Sequence, residues 1–396
     1  MTDGPADDLP SVSPTAPLGD STDPSLTLRD VGEFGAIERV GRWVEQFGAT
    51  DPTVQVGIGD DVAVVRPRAG KELLVTCDVQ VAGRHFVPSW MSGFEIGRRA
   101  FEVNASDIAA KGGSVLWVLV SLGLPAEFPI VDLEGIYRGI LTGLSEGGTG
   151  TVIGGNMTST PSESWFLDLT VVGECDAGSA FLRSTARVGD AVFVSGVPGG
   201  SAAGLTILSS LGAKSIDMRV GTAKDERAAL EAAHPSLIPW IEKYLCPRAR
   251  ISLSRRLESA RLLHAALDVS DGLLGDLFHI CSASRVAAAI DLHALPHTEL
   301  ESGFDTQTKE AIGIEASATA WSWMLGSSDD YELLFTADPS LRDDIFAAGE
   351  SCGVPIHEIG AIVPGPPRIL VDGSRVGRPD AVWTPDGPGG GWNHFA

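Results

Sequence analysis

Carboxylates set inside apolar, glycine-bearing stretches constrain this chain more than any other feature. Asp60 and Asp61 follow Gly59, and Asp78 follows the apolar run Leu73–Thr76. Asp107 closes Asn104-Ala105-Ser106-Asp107. Asp268, Asp271 and Asp276 fall within Leu267-Asp-Val-Ser-Asp-Gly-Leu-Leu-Gly-Asp276, and Asp329, Asp330 and Glu332 within Gly326-Ser-Ser-Asp-Asp-Tyr-Glu332. A single carboxylate at a turn serves as a helix cap or a solvated loop residue. Several within apolar runs ask for more, because an unpartnered carboxylate is costly to desolvate. Hard cations such as Mg²⁺ prefer oxygen ligands and offset that cost. Metal ions held by carboxylates are also a route to nucleotide phosphates that needs no phosphate-loop lysine.

The apolar pattern between these sites is mixed. Helical spacing runs over Glu33–Phe47 (Phe34, Ile37, Val40, Trp43, Val44, Phe47) and predicts a helix. Further helices are predicted at Phe94–Gly112, Val131–Glu146, Ser201–Ser210, Ile251–Leu263, Leu273–Ala283 and Leu341–Cys352. Strands are predicted at Val62–Val65, Leu73–Thr76, Val115–Leu122, Thr151–Ile153, Trp165–Gly173, Ala191–Ser195, Ala287–Asp291 and Tyr331–Thr336, with a strand and turn at Ala265–Gly272. The expected fold is therefore α/β in the broad, mixed sense. Residues 1–30 hold six Asp, five Pro and one Arg and read as a disordered acidic tail. A boundary near Arg187-Val188-Gly189-Asp190 divides an N-terminal domain, 31–187, from a C-terminal domain, 188–396. The polar stretch 212–227 reads as an insertion.

Charge and motif absences narrow the function. With 52 acidic against 29 basic side chains the net charge is −23, which repels phosphate backbones and speaks against nucleic-acid binding. The five cysteines form no CxxC pair, the N-terminus lacks a signal-peptide pattern, and no apolar run is long enough to span a bilayer. A cytoplasmic protein without a membrane partner is expected. No GxxxxGK[ST], protein-kinase, GxSxG or HExxH motif is present, and Gly57-Ile58-Gly59-Asp60-Asp61-Val62 fails GxGxxG at its last position.

The order of the acidic motifs resembles the thiamine-monophosphate kinase family, within the superfamily of aminoimidazole ribonucleotide synthetase. Gly59-Asp60-Asp61-Val62-Ala63 matches its GDDAA-like motif, and Thr76 to Phe86 its TTDxxVEGxHF-like motif. Ala100 to Gly112 matches A-x-N-x-SD-x-AA-x-G, and Asp268 to Leu273 matches DISDGL. Ser327 to Leu333 loosely matches GGEDYEL, and Gly391 to Phe395 matches the terminal G-aromatic-x-HF. The sequence departs from the family at Asn156 and Gly200, where the family has Asp, and at Ser327-Ser328, where it has two glycines.

The resemblance implies a two-domain fold in a homodimer, the N-terminal domains pairing strands into a shared β-barrel. It implies ATP-dependent phosphorylation of thiamine monophosphate to thiamine diphosphate, with Mg²⁺ and K⁺ as candidate cations. It assigns metal binding to Asp60, Thr76, Cys77, Asp78, Asp107, Asn156, Asp268 and Asp271. Cys77 would take part through its carbonyl only, since a thiol suits Mg²⁺ poorly. It places Asn156, Arg183 and Ser270 at the nucleotide, and His85, Asp330 and Trp392 at the thiamine moiety. No side chain is expected to act as a covalent or general-base catalyst, because a phosphate monoester with a second pKa near 6 is already largely deprotonated at about pH 7. The departures leave two alternatives: a divergent superfamily member using ATP on another small molecule, or a non-catalytic nucleotide-binding paralogue.

Overall fold

The computed structural model describes residues 23, 25–46, 51–147, 150–161, 165–212, 226–315, 317–378 and 380–385. The N-terminal half runs α1 (Leu28–Gln46), β1 (Val54–Val56), β2 (Val64–Val65), β3 (Lys71–Val81), α2 (Gly93–Ala110), β4 (Ser114–Leu124), α3 (Ile130–Gly147), β5 (Thr151–Ser159) and β6 (Phe166–Asp176). The C-terminal half runs β7 (Ala191–Ser195), α4 (Gly200–Gly212), α5 (Glu226–Ala233), α6 (Ile238–Leu245), α7 (Ile251–Ser259), β8 (Ala265–Asp268) and α8 (Leu273–Ser284). It continues β9 (Ala287–Asp291), α9 (His297–Ser302), α10 (Thr306–Ile312), α11 (Ala320–Met324), β10 (Leu333–Ala337), α12 (Arg342–Ser351), β11 (Ile356–Val363), β12 (Ile369–Asp372) and β13 (Ala381–Trp383).

Two main sheets result, one per half. The first has the order β3-β6-β4-β5 and the second β13-β12-β9-β11-β7-β10-β8. In the first, β4 and β5 pair in parallel and the other pairs are antiparallel. It is an open sheet with β3 and β5 at its edges, so one chain does not close the barrel that the resemblance implied. On one face Leu167, Leu169 and Val171 of β6 and Val118, Val120 and Leu122 of β4 are buried in the core with Ile108 of α2. The other face leaves Leu73, Val75 and Val79 of β3 exposed, and Val54 and Val65 of the β1–β2 pair pack in a small cluster with Leu116, Trp117 and Ile153.

Helix α2 starts on a capping box in which Ser92 and Glu95 satisfy each other's backbone N–H. It lies against α3 along glycines spaced four apart, Gly93 and Gly97 meeting Gly135 and Gly139 while Gly143 makes room for the Phe101 ring. A Cβ at Gly97 would stand 1.9 Å from the Ile136 carbonyl oxygen, and one at Gly139 2.1 Å from that of Phe94. The glycines thus let two backbones touch, which fixes how α2 lies on the sheet and where its polar residues emerge.

Several sequence expectations need correction. The tail does not reach residue 30: Thr27 bridges to Pro129, the Leu28 N–H donates to the Phe128 carbonyl, and the helix begins at Leu28. Residues 1–22 lie outside the described residues, as do 213–225, which make up most of the expected insertion. Within α1, Phe34 is 85% exposed; Ala36, Val40 and Trp43 form the buried stripe instead. Strand β3 runs to Val81 and pairs with β6 at every residue, so Asp78 is mid-strand and does not follow the strand. Strand β5 likewise extends to Ser159 and takes in Asn156. Strands β11 to β13 were not anticipated. Among the described residues no helix is long and apolar enough to cross a membrane.

Candidate functional site

The site grows from the alternation of β3. Successive side chains on a strand point to opposite faces, so Thr76 and Asp78 face α2 while Cys77 faces the open side. Helix α2 answers with Asn104, Ser106 and Asp107. Fully buried Asn104 accepts from the Asp78 N–H at 3.0 Å and donates to the Ala100 carbonyl at 3.0 Å, which locks the strand to the helix. Thr76 Oγ1 donates to Asp107 Oδ2 at 2.5 Å. Ser106, two positions after Asn104 and so turned to another side, donates to Asp268 Oδ2 at 2.7 Å, at the end of β8. One helical turn thus gathers Asp78, Asp107 and Asp268 from three separate elements.

Their electrostatics report that proximity. Burial pushes the Asp78 carboxyl up to about 6, and the charges of Asp107 and Asp168 add to the rise. Burial also pushes Asp268 up to about 6, with Asp107 again adding and the Ser106 hydroxyl opposing. Like charges crowded in a partly dry place raise each other in this way, and such a place is where a cation would be welcome.

Beyond Asp268 the chain turns into α8. Asp276, in the first turn, accepts from the N–H groups of Ser270 (3.0 Å), Asp271 (3.0 Å) and Gly272 (3.2 Å). Gly272 has φ +118°, a conformation that favours glycine. The Asp276 carboxylate therefore folds the loop that presents Ser270, which is exposed, and Asp271, which is partly buried. Burial pushes Asp276 itself up to about 7, against the donation it receives from Asp271 and Ser270.

The residues assigned to metal do not all meet. Asp60 lies on an exposed loop and accepts from the Asp61 N–H at 2.7 Å. The Cys77 thiol, on the open face, donates to Asp168 Oδ1 at 3.1 Å, which lifts its pKa. Exposed Asn156 of β5 pairs with Ser121 of β4, which pairs with Asp168 of β6, so these three form one row across the open face. Hence Thr76, Asp78, Asp107 and Asp268 are brought together, while the Cys77 side chain and Asn156 lie on the open face and Asp60 on an exposed loop.

Of the residues assigned to ligands, Asp330 needs correction. It is fully enclosed, and its two carboxylate oxygens accept from the N–H groups of Gly199 (2.6 Å) and Ser201 (2.9 Å) at the start of α4. Its carboxylate is therefore spent on positioning a turn. Its neighbours join the same contact: Asp329 accepts from Ser201 Oγ at 2.6 Å, and Ser328 Oγ accepts from the Ala202 N–H at 3.2 Å. The departures at Gly200 and at Ser327-Ser328 thus lie on two segments in direct contact. Arg99 of α2 crosses from the N-terminal half to hold Asp329 and the Tyr244 carbonyl.

His85 Nδ1 accepts from the Val81 N–H at 2.9 Å, which leaves the ring proton on Nε2 when the ring is neutral. Arg183 is exposed in the single helical turn Arg183–Thr185, and its backbone is anchored by Ser284. Trp392 lies outside the described residues. Sequence reasoning missed Asn104, Ser106, Asp168 and Asp276 as site builders. For Asn104 and Ser106 the signal was their place beside Asp107; for Asp168 none existed without the β3–β6 register.

Oxygen donors in a crowded, partly dry cluster suit Mg²⁺ chemistry. Among the described residues no three His, Cys, Asp or Glu side chains form a group that could hold a metal ion. An ion here would take one or two carboxylates and complete its shell with phosphate oxygens and water, as Mg²⁺ does at nucleotide sites.

Comparison with known proteins places this arrangement. Residues 59–175 match the AIR synthase related protein N-terminal domain, and residues 187–372 the corresponding C-terminal domain. The chain is 32% identical to the thiamine-monophosphate kinase of Escherichia coli O157:H7, over 83% of this chain and 90% of that one. The crystal structure of thiamine-monophosphate kinase from Stenotrophomonas maltophilia K279a superposes with a TM-score of 0.71 at 32% identity, covering 87% of this chain and 97% of that one. A structure of AaThiL complexed with AMPPCP and TMP gives 0.61 at 29% identity, covering 91% and 99%. The chain belongs to the thiamine-monophosphate kinase family, within the AIR synthase related proteins.

Proposed function

We propose that this protein phosphorylates thiamine monophosphate with ATP to give thiamine diphosphate. The observation that carries the reading is the gathering of Asp78, Asp107 and Asp268 by a single turn of α2. Family membership and the relative solved with AMPPCP and TMP support the substrates.

The attacking group is an oxygen of the substrate phosphate, deprotonated at neutral pH, so the protein need not supply a base. Direct in-line transfer then leaves positioning and charge neutralisation as the catalytic work. Asp78, Asp107 and Asp268, with Asp271 on the adjoining loop, would each be available to Mg²⁺, any one ion taking one or two of these carboxylates; K⁺ is a further candidate. Bound there, the metal would neutralise charge on the phosphate oxygens. Asn104 and Ser106 keep two of the three carboxylates in place, and Asp276 keeps the Ser270–Gly272 loop turned toward them. Arg183, whose planar fork suits phosphate oxygens, and Ser270 serve the nucleotide; His85 serves the thiamine side.

The quaternary state belongs to the same proposal. Exposed Leu73, Val75 and Val79 on edge strand β3 are an apolar strip that a second copy would cover, joining two open sheets into a barrel. Asp60, Asn156 and the Cys77 backbone carbonyl would then serve the site that forms beside that seam. With no CxxC pair in the sequence, a cytoplasmic setting fits.

The test is chromatographic detection of thiamine diphosphate from ATP, Mg²⁺ and thiamine monophosphate, with Asp78→Asn alongside. Product from the wild type and a loss of at least about a hundredfold in the variant is expected. No product from the wild type across Mg²⁺ and K⁺ concentrations would refute the reading.

A further inference from the structure

We infer that Lys111 seats a phosphate of the nucleotide, working with Arg183 beside the carboxylate cluster. The inference rests on the kinase reading for the identity of the anion. Lys111 directly follows α2, one turn beyond Asp107, and is partly buried. Its Nζ lies 3.4 Å from the Ala266 carbonyl of β8, two residues before Asp268. The Lys111 carbonyl accepts from the Phe181 N–H, and the next residue, Leu182, bridges to Ala265. This links the Lys111 backbone directly to the segment that carries Arg183. The ammonium thus sits where α2, β8 and the segment that carries Arg183 join.

That ammonium is under-used. It carries three donors, yet among the described residues the Ala266 carbonyl is its one hydrogen-bond acceptor, at a long distance. The two acids whose charges act on it are engaged elsewhere, Asp107 with Thr76 and Asp268 with Ser106. Burial lowers the Lys111 pKa, and Arg183 lowers it further, against the pull of Asp268 and Asp107. Two cations held near each other with unspent donors call for a shared anion. A phosphate is the anion the proposed reaction brings, and its oxygens could meet both heads.

The experiment compares the wild type with Lys111→Met, of similar length but uncharged, and Lys111→Arg, by calorimetric titration with AMPPCP in the presence of Mg²⁺. Lys111→Met is expected to weaken AMPPCP binding by about tenfold or more, because a charge-assisted hydrogen bond is lost. Lys111→Arg is expected to stay within about threefold of the wild type, since the charge remains. Titration with Mg²⁺ alone adds a readout of opposite sign: Lys111→Met is expected to bind the ion about tenfold more tightly, a neighbouring like charge having gone. Unchanged AMPPCP affinity in Lys111→Met, or an equal loss in Lys111→Arg, would overturn the inference. So would Mg²⁺ affinity that stays level or falls in Lys111→Met. A wild type that binds AMPPCP but forms no thiamine diphosphate would refute the kinase reading alone, and one that binds no AMPPCP would refute both.

Discussion

Replacing Glu332 with glutamine tests how the C-terminal half is held around the site. Glu332 is fully buried just before β10. Arg250 holds it with two hydrogen bonds, at 2.7 and 2.6 Å, Lys243 Nζ lies at 3.0 Å, and Ser195 Oγ donates at 2.5 Å. The space for the carboxylate exists because residue 196 is glycine: a Cβ there would stand 2.0 Å from Glu332 Oε1. Burial by itself would raise the carboxyl pKa, but Lys243 and Arg250, with the Ser195 hydroxyl, hold it well below the usual range. Breaking a buried ion pair from one side costs about 3–5 kcal/mol, since the partners keep their charge without an answer. Glutamine can still accept from Ser195 or Arg250, so about 3 kcal/mol is expected, or about 6–12 °C in melting temperature for a unit of this size. The pH dependence follows from the sign of the shift. A depressed carboxyl contributes its full stability above the unfolded value, about 4.3, and loses it as pH falls from there toward the folded value. The gap between wild type and Glu332→Gln is therefore full at pH 7 and narrows below about pH 4.3. Urea unfolding at pH 7 and at about pH 3.5 measures both. A loss under about 1 kcal/mol at pH 7, or a gap that does not shrink at the lower pH, would refute the reasoning.

Two further outcomes follow from the geometry. Gly97→Ala puts a methyl group 1.9 Å from the Ile136 carbonyl oxygen, so α2 and α3 must part; a loss of about 3 kcal/mol or more is expected by calorimetry, and one below about 1 kcal/mol would show that the helix contact yields freely. Val75→Asp sets a charge in the exposed strip of β3; light scattering after size exclusion is expected to find a dimer in the wild type and a folded monomer in the variant, and a monomeric wild type would remove the barrel proposal.

The local elements were legible where one periodicity ruled. Strands β7 and β9 match their predicted ranges, and α2, α3 and α8 fall within a residue or two. The spacing ends strand β3 short because Cys77, Asp78 and Gln80 follow, polar residues that look like a strand end until β6 is seen alongside. Strands β12 and β13 escaped because they are short, and proline- and glycine-bearing segments separate β11, β12 and β13. The motifs around Asp78, Asp107 and Asp268 could be read from the sequence as acids that needed a common reason. Their meeting could not, because the contacts that join them span 31 and 162 positions, Thr76 to Asp107 and Ser106 to Asp268.

By itself the sequence determined the family, the order of acidic motifs and the alternation of helix and strand, since each is written in neighbouring residues. Only the tertiary structure decided which acids share a place. The full β3–β6 pairing sends Asp78 toward α2 and Cys77 away from it. The packing of Gly199 to Ser201 on Asp330 turns an expected substrate contact into a helix cap. The same folding brings Lys111, from the end of α2, to the Ala266 carbonyl of β8 and links its backbone to the segment that carries Arg183. Strand parity and helix rotation are set by long-range packing, and a side chain's chemistry becomes a site only after these fix the direction in which it points.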